Sequence, residues 1–267
     1  MTLMKHSAMR RARLFINLLH MDFKVVRSEF IGDLVNAVTW PASLALNFGY
    51  ILPAFGMEES YGSFLMIGAM ATTYFYLSIG FASELVSDFD GERFIDFQVT
   101  LPMPSYKMLI MQRVVSFALQ ATALSMPLLP IGKVILGNKL NLATFAPLQF
   151  VVVLLLTGIY FGFFALWLAA FLPNQRSVSN AWRRVYTPLL MAGCYWFSFA
   201  MGIKVFPRAA LIVLLNPLTY MTEGIRSAVM GPEEYIPFLY SLLGVVSAIV
   251  LMGLFAMWSL RRRLDLL

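Results

Sequence analysis

The chain has 267 residues, of which 60% are hydrophobic and only 13% are charged. Soluble domains are roughly 45–50% apolar and about a quarter charged, so this composition excludes an ordinary soluble domain and indicates a protein that crosses a membrane several times. The net charge of +6 does not by itself predict a nucleic-acid partner, and we expect none, since basic residues also mark the cytoplasmic loops of membrane proteins. The only cysteine, Cys194, excludes an internal disulfide and a Cys-based metal cluster, and two histidines, His6 and His20, argue against a multi-histidine metal site.

The first 33 residues predict a cytoplasmic N-terminus with an amphipathic helix over residues 10–31, and no secretory signal peptide is expected there. On a helical projection Lys24 and Arg27 share one narrow polar face with Asn17, His20 and Ser28, while apolar side chains cover most of the remainder. This pattern is typical of a helix that lies in the membrane interface and contacts lipid. The alternative is a soluble-type helix packed on a cytoplasmic partner.

Six apolar stretches are each long enough to cross a bilayer, and they predict an all-α polytopic membrane protein. They cover about 34–55, 62–86, 108–130, 147–171, 186–203 and 236–260. The segments 131–146 and 173–184 contain many polar residues and are predicted to be loops.

The most polar internal segment is 87–107, between the second and third spans. Its acidic residues alternate with apolar ones; the acids are Asp88, Asp90, Glu92 and Asp96, and the apolar residues are Phe89, Phe94, Ile95 and Phe97. A connecting loop does not need those apolar groups, whereas a short amphipathic helix docking into a partner's groove would use them as anchors. The alternative is that the four acids bind a divalent metal.

Residues 216–226 combine a proline, a glycine, an acid and a base within an apolar region. Pro217 disfavours helix at Asn216 but is well tolerated in a first helical turn. Glu223 and Arg226 are three residues apart and can pair on one face of the restarted helix. Ionisable groups are costly in lipid, so we expect a bent, partly re-entrant element before the last span that faces protein or water. The alternative is a proline-kinked helix with an ordinary surface ion pair.

The distribution of basic residues predicts that both termini are cytoplasmic. With six spans in that orientation, the opposite side holds five of the 20 Lys and Arg residues, which leaves 15 on the cytoplasmic side. The five are Lys133, Lys139, Lys204, Arg208 and Arg226. This bias requires that the pair 204–228 enters and leaves from the outer side without crossing.

The run Asn-Pro-Leu-Thr-Tyr at 216–220, followed by Glu223 and Arg226, resembles the signature of ABC-2 type transporter permeases. The stretch Gly-Glu-Arg-Phe-Ile-Asp-Phe at 91–97 and the Leu-Pro at 101–102 are similar to the family's pattern in its coupling segment. The predicted layout matches the family over essentially the whole chain, so the resemblance implies that 34–267 form an ABC-2 type transmembrane domain. It also implies a coupling segment at 87–107 and an outer re-entrant helical pair at 207–228.

The resemblance also implies partners and roles. Two copies of a separate ATPase subunit would dock from the cytoplasm, and a second permease copy would pair with this one. ATP and Mg would be bound by the ATPase, so this chain would hold no cofactor and no catalytic residue. The implied ATPase-coupling residues are Asp88, Asp90, Glu92, Arg93, Phe94, Asp96 and Phe97, and the implied re-entrant motif is Asn216, Pro217, Glu223 and Arg226.

The chain offers no ATP site of the usual kind. The nearest approach to a P-loop, Gly132–Lys139, has Asn138 where a lysine is required and lacks the following Ser or Thr. The resemblance implies that transport proceeds by alternating access or through a gated lateral channel, and that movements of the ATPase drive it.

The resemblance implies export of lipid-linked glycans, lipids or hydrophobic drugs across a bacterial-type cytoplasmic membrane, but it does not choose among these substrates. Tyr74 and Tyr76 in the second span, and Tyr195 and Trp196 in the fifth, are candidates for a substrate path. The alternative is that these aromatic side chains face lipid or the membrane interface.

Two other functional classes compete with the permease. A transporter driven by an ion gradient would need ionisable residues within its spans, and these are nearly absent apart from Glu84 and the Glu223/Arg226 pair. An integral-membrane enzyme that modifies lipids would need a reactive cluster, for which the acidic run in 87–107 is the candidate.

Overall fold

The computed structural model describes residues 2–90 and 106–265, and every regular element in these ranges is helical. The α-helices in this part of the chain are α1 (Thr2–Leu46), α2 (Ser60–Asp90), α3 (Tyr106–Ser125), α4 (Leu128–Leu136), α5 (Pro147–Phe171), α6 (Gln175–Ala181), α7 (Thr187–Met191), α8 (Phe199–Val205), α9 (Pro207–Val213), α10 (Pro217–Met230) and α11 (Phe238–Asp265). Short π-helices cover Asn47–Ile51 and Trp182–Tyr186, and 3₁₀ turns cover Leu52–Phe55 and Gly137–Lys139.

Helix α5 is at the centre of the bundle and packs against α2, α3, α10 and α11. It is apolar on every side, which is typical of a helix with neighbours all round. Gly158 and Gly162 let α3 approach closely, since a Cβ atom at Gly158 would lie only 2.8 Å from the Cα atom of Ala118. Small residues at such contacts are how helices pack in membranes, where no hydrophobic effect drives them together.

Four helical stretches of the described chain are long and apolar enough to cross a membrane: Ser60–Asp88, Lys107–Lys139, Pro147–Phe171 and Phe238–Arg263. They correspond to the predicted second, third, fourth and sixth spans. The predicted fourth span, 147–171, has the bounds of α5. The all-helical class and the multi-pass membrane character are therefore confirmed.

One continuous helix, α1, covers the predicted interface helix and the first part of the predicted first span, and it continues through Pro41. The remainder of that span consists of the π-helix Asn47–Ile51 and the 3₁₀ turn Leu52–Phe55. The polar face of residues 10–31 predicts a helix that lies in the membrane interface, but the sequence there contains no residue that would end a helix. At about 1.5 Å per residue, 45 residues reach about 68 Å, more than twice the thickness of a bilayer core.

Both segments predicted as polar loops contain helix. Helix α4 extends the third span into 131–146, because Pro127 and Pro130 lie at its N-cap and in its first turn, where proline is tolerated. In the segment 173–184, the side chain of Asn174 accepts a hydrogen bond from the Ser177 amide at 3.0 Å and starts α6. Polar composition predicted loops at both places, whereas capping and proline position favour helices.

The predicted fifth span, 186–203, is interrupted. Helical structure ends at Met191, residues 192–198 form turns and bends, and α8 begins at Phe199. Cys194 has a positive φ of 54°, which is uncommon for a residue other than glycine. The helices α9 and α10 follow at the place of the predicted re-entrant pair.

Candidate functional site: a buried ion pair beside an open groove

Helix α10 begins where the Asn-Pro sequence predicts. Asn216 has extended backbone, and its side-chain oxygen accepts a hydrogen bond from the Leu218 amide at 3.0 Å. The side-chain amide of Asn216 donates to the carbonyl oxygen of Leu189 at 2.6 Å, which ties the start of α10 to α7. Pro217 occupies the first turn, where its missing N–H costs nothing.

Glu223 and Arg226 form the ion pair that their spacing predicts. Arg226 Nη1 lies 3.4 Å from Glu223 Oε1, and both side chains are 0% exposed. The alternative of a surface ion pair is therefore wrong. A charged pair without access to water needs further hydrogen bonds to offset its desolvation, and the structure supplies them.

The guanidinium of Arg226 donates hydrogen bonds to carbonyl groups in the bend that interrupts the fifth span. Arg226 donates to the carbonyl oxygens of Cys194 at 2.5 Å and Tyr195 at 2.7 Å. Its Nε donates to the carbonyl of Phe64 in α2 at 3.3 Å, and its charge lies 3.6 Å from the centre of the Phe64 ring. These contacts explain how a bend at 192–198 can be buried, because unpaired backbone carbonyls there would be costly.

The carboxylate of Glu223 accepts hydrogen bonds from two backbone amide groups. Its Oε1 accepts from the backbone N–H of Phe199 at 3.3 Å, and its Oε2 accepts from that of Ile236 at 3.2 Å. We call the two side chains and these backbone partners the Glu223–Arg226 junction. The junction joins α2, the bend at 192–198, the start of α8, α10 and the segment before α11.

Aromatic side chains cover the junction. The Phe64 ring stacks against those of Tyr61 and Tyr235, with centroid distances of 5.6 and 6.4 Å. Burial raises the pKa of Tyr235 to about 12, so its hydroxyl stays protonated at neutral pH and donates to the sulfur of Met230 at 3.4 Å. The junction fits a role in holding segments together, since its donors and acceptors are occupied by backbone groups.

Two of the four predicted path residues are buried inside the bundle. The hydroxyl of Tyr74 lies 3.1 Å from Thr122 Oγ1, between α2 and α3. Tyr195 accepts a hydrogen bond from Trp40 Nε1 at 3.3 Å. Neither side chain faces lipid, because both are at most 1% exposed. Trp196 is half-buried and packs against Phe48, with ring centroids 6.3 Å apart.

Tyr76, the remaining predicted path residue, lies on an open groove between α1 and α2. The cavity has a volume of about 430 Å³ and combines aromatic, amide, hydroxyl and carboxylate groups. Its lining includes Asp33, Asn36, Trp40, Thr72, Thr73 and Tyr76. The ring of Trp182 stacks on Tyr76 at 5.7 Å and extends the aromatic wall.

Sequence reasoning missed the α1 side of this groove, although a signal was available. Asp33, Asn36 and Trp40 recur at intervals of three and four residues, which places them on one face of a helix. Ser43 and Asn47 continue that face and are exposed, as Asn36 and Trp40 are.

The predicted coupling residues fall mostly outside the described residues. Glu92, Arg93, Phe94, Asp96 and Phe97 lie outside them, as do the remaining residues of 91–105, and nothing is described of the Asp90 side chain. Asp88 is half-buried near the end of α2. Lys24 and Arg27, the predicted basic residues of the interface helix, are both exposed on α1.

Residues 15–230 match the family model of the ABC-2 type transporter. The match covers most of the chain, and the chain belongs to this family. No curated protein matches the chain. Family membership makes this chain an ABC transporter membrane domain, of a kind that generally has no enzymatic activity of its own and works with an ATPase.

Proposed function

We propose that the chain is the permease subunit of an ATP-driven exporter that moves an amphiphilic or lipid-linked substrate across or out of the cytoplasmic membrane. The substrate is a glycan-bearing lipid, a lipid or a hydrophobic drug, and a separate ATPase subunit supplies the energy. The observation that carries this proposal is the groove between α1 and α2, whose lining suits a molecule with both polar and apolar parts.

A polar face near the groove supports a path that is not filled by lipid; we call it the α1 stripe. Its members Asn36 and Ser43 are exposed on α1, and Asn47 is exposed at the start of the π-helix that follows. Ser43 and Asn47 donate hydrogen bonds to backbone carbonyls one turn earlier, at 2.8 Å each, but their side chains remain accessible. Polar groups are costly against acyl chains, so this face suits water, substrate or protein.

A second permease copy is the partner that best completes this groove. Two copies related by a two-fold axis would place their α1 stripes across from each other and enclose a path between them. Trp40 and Tyr76 would then offer aromatic faces to the substrate, and Asn36 and Asp33 would offer hydrogen-bonding groups. In this arrangement six spans, counting interrupted ones, cross the membrane in each copy, and the pair 207–228 enters and leaves from the outer side.

Energy would enter through the segment 87–107, in which Asp88–Phe97 dock into the ATPase. Two ATPase copies bind ATP and Mg, and their closure moves the ends of α2 and α3, which flank that segment. Both termini lie in the cytoplasm of a bacterial-type cell, as the distribution of basic residues predicts.

Cysteine accessibility tests the proposal directly, because the only native cysteine is buried and gives little background. Asn36→Cys and Ser43→Cys are introduced singly, and the complex with its ATPase is treated with a charged maleimide in lipid vesicles. We expect both positions to react with the reagent and their rates to change when ATP and vanadate trap the ATPase.

Leu251→Cys provides the control, because Leu251 is 58% exposed on an apolar face of α11 and should be shielded by lipid. Reaction of Asn36→Cys and Ser43→Cys at the low rate of the control, with no response to nucleotide, would contradict the proposed path.

A further inference from the structure

A second cavity lies between the C-terminal ends of α5 and α11. It has a volume of about 510 Å³, and its lining includes two aromatic residues and two arginines, together with a proline and a serine: Phe171, Trp258, Arg262, Arg263, Pro173 and Ser259. We call it the α5–α11 cavity. It is separate from the Glu223–Arg226 junction and from the groove on α1, and the proposed function assigns no role to it.

The two arginines of the cavity have different surroundings. Arg263 donates to the carbonyl oxygens of Ala169 and Leu172, the latter at 2.6 Å, and so caps the negative end of α5. Arg262 is exposed, and its guanidinium lies 4.0 Å from the centre of the Trp258 ring. That stacking fixes the guanidinium plane and leaves its N–H groups available for an anion.

The cavity continues into an apolar stripe on α11. Leu251, Leu254, Phe255 and Trp258 follow one another at helical spacing, and each is 56–58% exposed. Arg262 is one turn beyond Trp258 on the same face, where the apolar part of the helix ends. Tryptophan next to arginine at such a boundary is typical of the level of the lipid headgroups.

The contact between the cavity and the apolar stripe favours a phospholipid over a soluble anion. A free phosphate would use the arginine but not the apolar stripe, whereas a phospholipid would place its phosphate at Arg262 and an acyl chain along the stripe. A zwitterionic lipid would bring a positive group toward the Arg261–Arg263 cluster and be disfavoured. The positive-inside rule places this cluster on the cytoplasmic side, where anionic lipids attract basic residues.

We infer that the α5–α11 cavity is a binding site for an anionic phospholipid, with Arg262 as the main contact for the headgroup phosphate and Ser259 as a second donor. Occupancy would hold the ends of α5 and α11 together at the membrane surface. The substrate path proposed above lies on α1 and α2, so this lipid is a bound partner and not the transported molecule.

Native mass spectrometry of the full chain in mild detergent tests the inference. Phosphatidylglycerol and phosphatidylcholine with identical acyl chains are titrated separately, and the dissociation constants are compared. We expect tighter binding of phosphatidylglycerol. We expect Arg262→Ala to weaken it about tenfold, as the loss of a charge-assisted hydrogen bond implies, and Arg262→Lys to weaken it less.

Arg184→Ala is the matched control, because Arg184 is another exposed arginine that does not line the cavity, and its loss should leave binding unchanged. Equal binding of the two lipids, or unaltered phosphatidylglycerol binding in Arg262→Ala, would overturn the inference. Displacement of the lipid by millimolar glycerol phosphate would assign the site to a soluble anion. Absence of lipid together with a dimer that Trp258→Ala dissociates would assign this face to a second copy.

Discussion

Arg226 is the residue on which the interrupted part of the fold depends most. It contacts carbonyl groups of three residues in two segments, one carboxylate and one aromatic ring, all without access to water. A guanidinium can serve these partners at once because its donors point in several fixed directions in one plane, whereas a lysine offers a single point charge.

Removing one member of the buried pair should be more damaging than removing both. Arg226→Ala leaves Glu223 buried without its partner and is expected to lower the free energy of unfolding by about 3–5 kcal/mol. Arg226→Lys should also be destabilising, because the carbonyls of Cys194 and Tyr195 cannot both be reached in the same geometry. Thermal unfolding of the purified chain in detergent measures these effects.

Glu59→Ala is the control for that series. Glu59 pairs with Lys139 at 3.1 Å, but its side chain is 69% exposed, so a change of at most about 1 kcal/mol is expected. The double variant Glu223→Gln, Arg226→Met should be less destabilised than Arg226→Ala alone. Equal stability of Arg226→Ala and the wild type would show that the junction does not hold the fold together.

Helix α2 can approach the junction only because one of its residues has no side chain. A Cβ atom at Gly68 would lie 2.3 Å from Arg226 Nη2, too close for any real contact. Gly68→Ala should therefore push the guanidinium away from its carbonyl partners and lower the unfolding temperature, which fluorescence-detected unfolding in detergent measures.

Gly80→Ala is a control on the same helix, because nothing lies within 4 Å of a Cβ atom there. It should be neutral or slightly stabilising, since alanine favours helix over glycine by about 1 kcal/mol. If the two variants unfold at the same temperature, the close contact between α2 and Arg226 is absent in solution.

At the scale of elements, the sequence predicts those helices and contacts that depend on residues close together in the chain. Length and apolar composition identify α2, α5 and α11, and the Asn-Pro pair identifies the start of α10. The spacing of Glu223 and Arg226 predicts their pairing. The bend at 192–198 was not predicted, because it is stabilised by residues about 30 positions later and its local sequence reads as a continuous apolar run.

The residues that line the groove also could not be predicted from local sequence alone. Tyr76 was found from its residue type, but Trp40 and Asn36 became candidates only when α1 was placed against α2. Tyr74 and Tyr195 match Tyr76 in chemistry and yet are buried, because the face of the helix that each occupies depends on tertiary packing. Residue type selects candidates, and packing decides which of them line an open surface.

At the scale of the whole molecule, the family assignment describes an ABC transporter membrane domain, and the proposed function gives it a separate ATPase as its source of energy. The contact with that protein is predicted to lie in 87–107, outside the described residues for the most part. Phe94→Ala combined with Phe97→Ala should reduce association with the ATPase or uncouple ATP hydrolysis from transport, while the chain still inserts into the membrane.

The most direct test is co-purification of the tagged chain, expressed with its genomic neighbours and extracted in mild detergent. We predict that a soluble ATPase co-purifies in equal amount and hydrolyses ATP in lipid. The Phe94/Phe97 double variant should lose that association or its coupling, whereas Phe206→Ala, an exposed phenylalanine elsewhere, should not. A correctly folded chain that purifies alone, without ATPase activity, would contradict the account and favour an ion-driven or enzymatic role.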